Sequence, residues 1–399
     1  MAVQGSWRRA AHGALLLGPD GSAGTTIFAE MTALADQSGA INLGQGFPDY
    51  DGPDEVLEAA RAAIASGLNQ YPPGMGMPVL REAIAEHQQR FYGLEFDPLT
   101  EVLVTAGATE ALASTILALV EDGDEVLTFE PFYDAYGAVI ELANAAHRTV
   151  PLRGEGFQPD PDELRAAVTD RTRLILVNDP HNPTGTVLTP EIRALLVELA
   201  HQHDAILVTD EVYEHLVYDG ERHVPLASLP GARERTVSIS SGGKTFSTTG
   251  WKIGWITAPA EIVRAIVAVK QFLTFVNGGP FQPAIAAGLR LPDSFFTGLV
   301  ADMQRKRDLL ASGLQAAGFS LTLPAAGYFI VADASALGYE DGAAFCRRLP
   351  QLAGVAGVPI SAFCHADMAG QYRSLVRFAF CKRLDVLERA AAQLAGLRA

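Results

Sequence analysis

Cysteine is scarce in this chain. Only Cys346, Cys364 and Cys381 occur among 399 residues. They are odd in number and widely spaced, with no CxxC pair, so reduced thiols in a cytoplasmic protein are expected rather than a disulfide framework. Cations are outnumbered as well, 30 Lys and Arg against 46 Asp and Glu, and the formal net charge is −16. That balance argues against nucleic acid or an anionic membrane surface as a partner. No apolar run reaches transmembrane length. The start, Trp7-Arg8-Arg9 followed by Ala14-Leu15-Leu16-Leu17, faintly resembles a signal peptide. Its apolar stretch is too short and Asp20 follows closely, so an arm-like N-terminal extension is expected instead. The nine histidines show no metal-ligand spacing, so no metal is expected. There is no internal repeat and no low-complexity linker.

What is present is a regular alternation. Short apolar runs at Glu101–Thr105, Glu125–Phe129, Leu174–Val177, Ala205–Thr209 and Thr236–Ile239 are separated by helical patterns. Buried strands alternating with helices imply an α/β fold with a mostly parallel sheet covered on both faces. In such a sheet ligands gather at the carboxyl ends of the strands. Gly107, Asn178, Asp210 and Lys244 all follow strand runs and are expected there. From about Pro292 the pattern changes to a long helix, Asp293 to Ala317, strands at Phe329–Ala332 and Leu375–Phe380, and a closing helix from Asp385. This reads as a smaller α+β domain. An amphipathic helix from Thr26 to Gln37 is expected to pack with it. The division is residues 1–45 as N-terminal arm and part of the small domain, 46–290 as large domain, and 291–399 as small C-terminal domain.

The most informative stretch is Ser240-Ser241-Gly242-Gly243-Lys244-Thr245-Phe246, with Thr249-Gly250-Trp251-Lys252 after it. A lysine that forms a Schiff base with an aldehyde cofactor needs close backbone approach, a polar cradle and a nearby anion site. This turn offers all three for Lys244. A phosphate-binding GxxxxGK[ST] loop would require glycine at position 238, which is Ser238. A surface turn lysine remains the plain alternative. Asp210 lies directly after an apolar strand, where it either caps the next helix or pairs with a protonated pyridine nitrogen. Tyr213, three residues on, is placed to donate to the cofactor's phenolic oxygen.

Asn178-Asp179-Pro180-His181-Asn182-Pro183-Thr184-Gly185 is a double Asx-Pro turn. Asn182 is the residue of choice for binding a cofactor oxygen and a substrate carboxylate. His181 lines the pocket or simply occupies the turn. Gly107-Ala108-Thr109 joins a strand to a helix, where free N–H groups and the helix dipole favour an anion. Ser241 and Lys252 would complete that phosphate site with a hydroxyl and an ammonium. Tyr133 follows the second strand and either stacks on the cofactor ring or is an ordinary core aromatic. Arg377 sits inside the apolar run Leu375-Val376-Arg377-Phe378. An arginine there needs a partner, either a substrate carboxylate held bidentately or a structural salt bridge.

Together these residues resemble the class I aminotransferases of pyridoxal phosphate fold type I, from about Thr25 to the C-terminus. The resemblance is nearest to the branch of kynurenine aminotransferase and glutamine transaminase K, and nearer still to actinobacterial N-succinyldiaminopimelate aminotransferases. It is carried by Asn42-Leu43-Gly44-Gln45-Gly46-Phe47-Pro48-Asp49, Asn69-Gln70-Tyr71-Pro72-Pro73, the Asn182-Pro183 turn, Asp210-Glu211-Val212-Tyr213, Lys244 to Trp255 and Ser374 to Lys382. It implies a large domain with a mostly parallel seven-stranded sheet sandwiched by helices, and pyridoxal 5′-phosphate as cofactor. It implies Lys244 as Schiff-base lysine and proton shuttle, and Asp210 on the pyridine nitrogen with Asn182 and Tyr213 on the phenolic oxygen. Gly107, Ala108, Thr109, Ser241 and Lys252 would hold the phosphate, with Tyr133 on the ring and Asn178 beside it. Arg377, Asn182 and the backbone near Gly46 would bind the substrate carboxylate. A homodimer is implied, its partner subunit supplying Tyr71 and Phe275.

The chain departs from the family at three places. Asp179 stands where Thr or Ser is usual and adds a negative charge near the cofactor. Ala326-Gly327-Tyr328-Phe329 replaces a Gly-[Ser/Thr]-Tyr-Phe segment, and Gly18 to Ala23 replaces an Arg-Pro stretch. The expected activity is transamination between an α-amino acid, or a succinylated diamino acid, and a 2-oxo acid. The alternative keeps cofactor and fold but eliminates a β- or γ-group or forms a C–C bond. A non-enzymatic regulator would want a DNA-binding segment, which the acidic chain does not show.

Overall fold

A computed structural model of the chain describes residues 3–18 and 20–398. Pro19, within the altered stretch from Gly18 to Ala23, lies outside them. One large sheet runs, edge to edge, through Val102–Ala106, Ile253–Thr257, Thr236–Ser241, Ile206–Asp210, Thr172–Asn178, Glu125–Glu130, Ala146–Arg153 and Gln158–Pro159. All neighbours are parallel except around Ile253–Thr257, antiparallel to both its neighbours, and at the Gln158–Pro159 edge. The expected seven strands therefore become eight, because a two-residue strand pairs onto Ala146–Arg153.

The central strands Thr172–Asn178 and Ile206–Asp210 carry unbroken apolar runs because both faces are covered. Leu174, Leu176 and Val208 pack in one core cluster with Leu112 and Ile116 of the helix Gly107–Leu119. Their neighbours Ile175, Val177 and Leu207 point the other way and pack with Leu195 and Leu196 of the helix Pro190–Gln202. Successive strand side chains alternate faces, so a run with no polar break signals helices on both sides.

The smaller sheet is antiparallel, in the order Ser320–Leu321, Phe329–Asp333, Leu375–Ala379, Val358–Pro359. The helices Asp293–Ala317 and Leu384–Ala395 pack on each other beside it. The helix Ile27–Ser38 is capped by Thr26, whose hydroxyl accepts from the Ala29 N–H at 3.2 Å, and ends at Gly39 with φ +67°. It packs on the helix Gly342–Ala353, and Ile41–Asn42 pairs in parallel with Val355–Ala356. On this basis we propose the division into 1–45 as N-terminal arm and part of the small domain, 46–290 as large domain, and 291–399 as small C-terminal domain. The earliest helix, Trp7–Gly13, instead lies on Asp134–Leu142. Glycines allow that crossing: a Cβ on Gly13 would fall 2.1 Å from the Gly137 carbonyl oxygen.

Candidate active site

The carboxyl ends of the large-sheet strands open onto a cavity of about 210 Å³. Its walls include Gly107, Ala108, Thr109, Tyr133, Asn178, Asn182, Asp210, Tyr213, Ser241, Lys244 and Lys252. Eleven positions spread over 146 residues of chain thus share one space, as parallel strands deliver their ends to one edge.

Local geometry explains the glycine and lysine pattern. Gly107 has φ +74° and opens the helix Gly107–Leu119, so the first N–H groups of that helix face the cavity. A Cβ on Gly107 would meet Lys252 Nζ at 3.2 Å, and one on Gly254 would meet the Gly107 carbonyl carbon at 2.5 Å. Lys252 itself adopts φ +54°, its carbonyl held by Asn277 Nδ2 at 2.9 Å, and its Nζ lies 3.5 Å from Thr109 Oγ1. Ser241 caps the short helix Gly242–Thr245, accepting from the Gly243 N–H. Helix N–H groups, hydroxyls and an ammonium therefore converge, as a phosphate requires.

Lys244 Nζ donates to Tyr328 Oη at 2.9 Å, and Tyr328 donates to the Gly46 carbonyl at 2.5 Å. Burial lowers the Lys244 ammonium below its ordinary value, against Cys381 and Asp210. Burial raises the Asp210 carboxyl, opposed by the hydroxyl of Tyr136, which donates to Oδ2 at 2.7 Å, and by Lys244. Asp210 Oδ1 also accepts a long bond from the Val212 N–H at 3.4 Å. Its carboxylate thus serves a turn on one side and faces the cavity on the other.

Arg377 is 2% exposed, with NH1 on Asn182 Oδ1 at 3.0 Å and NH2 on the Gly44 carbonyl at 2.9 Å. Its Nε has no partner, and burial pulls the guanidinium down to about 10. The Phe329 ring lies 3.9 Å from Cζ. Among the described ion pairs none satisfies this arginine, so the structural salt bridge considered for it is not what holds it. A buried cation on neutral oxygens fits a ligand carboxylate.

A family model described as Aminotransferase class I and II matches residues 38–394. The chain belongs to this family. A probable N-succinyldiaminopimelate aminotransferase of Mycobacterium tuberculosis is 51% identical over 381 residues, covering 94% of this chain and 96% of that protein. A methionine aminotransferase of Escherichia coli is 42% identical, covering 93% and 95%. The solved structure of N-succinyldiaminopimelate aminotransferase from Mycobacterium tuberculosis superposes with TM-score 0.92 at 50% identity, covering 99% of this chain and all of that one. The protein is therefore an aminotransferase of the α/β architecture described above. These relatives give no support to the alternative of elimination or C–C bond formation.

Within the aminotransferase some residues sit differently from their sequence reading. Asp179 does not charge the cavity: its carboxylate takes Arg193 Nε at 2.9 Å and the Leu188 N–H at 3.2 Å, both partners buried. Asn178 braces the turn, donating to the Asp210 carbonyl and accepting from the Asn182 N–H. His181 is buried on Thr184 and is not in the cavity wall. Tyr71 and Phe275 are 82% and 52% exposed and touch each other outside the cavity, with ring centroids 5.5 Å apart. Gly46 is not in the cavity wall but lies against Phe329, where a Cβ would fall 2.5 Å from the ring. Tyr136 and Tyr328 were missed as site residues. Tyr136 sits three positions after Tyr133 on a helix, one turn along the same face, which is the signal that marks it. Tyr328 had no such signal beyond its place in the altered Ala326–Phe329 segment.

Proposed function

We propose that the chain is a pyridoxal 5′-phosphate aminotransferase acting on an α-amino acid and a 2-oxo acid, as a cytoplasmic homodimer. The observation that carries the reading is the pairing of unmet needs: a buried Arg377 without a carboxylate, and a buried Asp210 facing Lys244 in one cavity. When bound, the cofactor supplies an aldehyde for the amino group and a ring that accepts electron density from Cα.

The chain's own residues do the rest. Gly107, Ala108, Thr109, Ser241 and Lys252 would hold the phosphate, and Tyr133 would cover the ring. Asp210, its charge steadied by Tyr136, would keep the ring nitrogen protonated. Asn182 gives its Oδ1 to Arg377, so its amide N–H is the group left for the ring's phenolic oxygen, together with the Tyr213 hydroxyl. Arg377 grips the substrate carboxylate and fixes which Cα bond is broken. Lys244 Nζ, with its affinity for protons lowered by burial, would carry the proton removed from Cα to the cofactor's aldehyde carbon. Tyr328 keeps Nζ within reach through its bond to Gly46. Tyr71 and Phe275, exposed on this chain, would serve the partner subunit's site.

The relatives' names leave an N-succinylated diamino acid and methionine as candidate donors. The test is absorbance of the purified protein. Wild type is expected to show a visible cofactor band that Lys244→Ala lacks, together with transamination activity. A wild type that binds no pyridoxal phosphate sinks the reading.

A further inference from the structure

We propose that Glu110 and Asn277 are positioning residues of the phosphate site, lying outside the cavity and fixing its backbone by tying it to the turn at residues 271–280. The inference rests on the reading of Gly107, Ala108, Thr109, Ser241 and Lys252 as that site.

The cradle depends on support from beyond its own elements. The helix Gly107–Leu119 has no side-chain cap at Ala106. Glu110, one turn into that helix, bends back instead, and its Oε2 accepts the Ala106 N–H at 2.6 Å. A capping box gives the same task to a glutamate of the first turn. On the other side of the cradle, Lys252 holds its left-handed φ of +54° with its carbonyl bonded to Asn277 Nδ2 at 2.9 Å. The same amide nitrogen donates to the Thr105 carbonyl at 3.2 Å. One side chain thus joins the strand that leads into Gly107 to the residue that carries the ammonium. Neither Glu110 nor Asn277 is in the cavity wall.

Both residues fasten one turn. Glu110 is 7% exposed, and its Oε1 accepts from the Thr274 N–H at 3.2 Å and from the Thr274 hydroxyl. Lys270, 1% exposed at the end of the helix Ala260–Lys270, donates from Nζ to the Phe275 carbonyl at 2.7 Å. Phe275 has φ +61°, a conformation that a bulky residue keeps only where its surroundings hold it. Gln282 Nε2 takes the Asn277 carbonyl at 2.7 Å. A Cβ on Gly278 would fall 2.3 Å from Ile253 Cδ1, so the turn rests on the strand that follows Lys252. Charge is balanced within the same group. A carboxylate in the first turn would repel a phosphate bound there, and Lys270 offsets it. Burial lowers the Lys270 ammonium, and Glu110 holds it up.

The experiment titrates the cofactor-free protein with two probes, pyridoxal 5′-phosphate and pyridoxal, which lacks the phosphate, each followed by its visible band. Wild type is expected to bind the phosphorylated probe more tightly. Glu110→Ala and Asn277→Ala are each expected to lower the ratio of the two affinities about tenfold by weakening that probe alone, the scale of one buried polar group left unpaired. Glu110→Gln keeps an acceptor for the Ala106 N–H and a donor for the Thr274 hydroxyl, and is expected to stay within about threefold of wild type. A merely structural loosening would weaken both probes alike. Asn277 is half-buried and outside any helix, so its variant keeps the test open if Glu110→Ala fails to fold. An unchanged ratio in Asn277→Ala and in whichever Glu110→Ala protein folds overturns the inference. A wild type that binds the two probes equally overturns the phosphate site itself, and is recognised before any variant is compared.

Discussion

Glu214 is a buried carboxyl behind the site, and its environment makes folding pH-dependent. Burial raises it to about 7 from an ordinary value of 4.5, with Glu211 adding to the rise and the Ser240 hydroxyl and His223 opposing it. Its Oε2 has no partner. Below pH 4.5 both folded and unfolded chains hold this proton, while between 4.5 and about 7 only the folded chain does. Stability from this group is therefore present at low pH and lost as pH rises through that window, by up to about 1.4 kcal/mol per unit. Glu214→Gln keeps the shape and removes the proton. Melting curves of the two proteins across about pH 5 to 8 should converge toward low pH and separate toward high pH, with the variant the more stable there. Parallel curves would contradict the assignment. Asp179 teaches the complementary lesson: its negative charge reads in sequence as a disturbance of the cofactor, and a buried arginine fourteen positions on cancels it.

At the scale of elements, the antiparallel strand Ile253–Thr257 shapes the proposed phosphate site. Pairing with both Val102–Ala106 and Thr236–Ser241, it sets Lys252 at its start beside the first turn of Gly107–Leu119. Gly254 is what lets these backbones close: a methyl there would fall 2.5 Å from the Gly107 carbonyl carbon and 2.7 Å from the Ala108 nitrogen. Gly254→Ala is expected to push the helix start away, at a cost of about 1–3 kcal/mol for overpacking, and to weaken pyridoxal phosphate binding about tenfold or more. A cofactor titration followed by absorbance measures this, and an unchanged affinity would count against the cradle. The parallel strands were legible because their unbroken apolar runs signal two covered faces. The Ile253–Thr257 strand was not, since a run after a lysine turn looks alike in either direction and only its partners set its sense.

For the whole molecule, the exposed apolar surface is uneven. Leu68, Tyr71, Phe272, Leu273 and Phe275 are 41%, 82%, 82%, 46% and 52% exposed. They fall in two segments that meet through Tyr71 and Phe275. A cluster of this kind on an isolated chain marks an interaction surface. Light scattering should therefore give twice the chain mass, and Phe272→Asp should shift the protein toward monomer with loss of activity. A monomeric wild type with full activity would refute the proposed dimer. Among the described residues no helix is long and apolar enough to cross a membrane.

By itself the sequence determined the class of sheet and eleven of the residues that share the Lys244 cavity. Those follow from local patterns: apolar runs, glycines at tight turns, and polar residues at the ends of strands. Tertiary structure alone decided that Asp179 is neutralised by Arg193, that Tyr136 and Tyr328 brace Asp210 and Lys244, and that Leu15, Leu16 and Leu17 share a cavity with Phe28 and Phe363. Each of these joins residues through space across a fold, and the energy of a buried charge depends on what faces it, which spacing along a chain does not state.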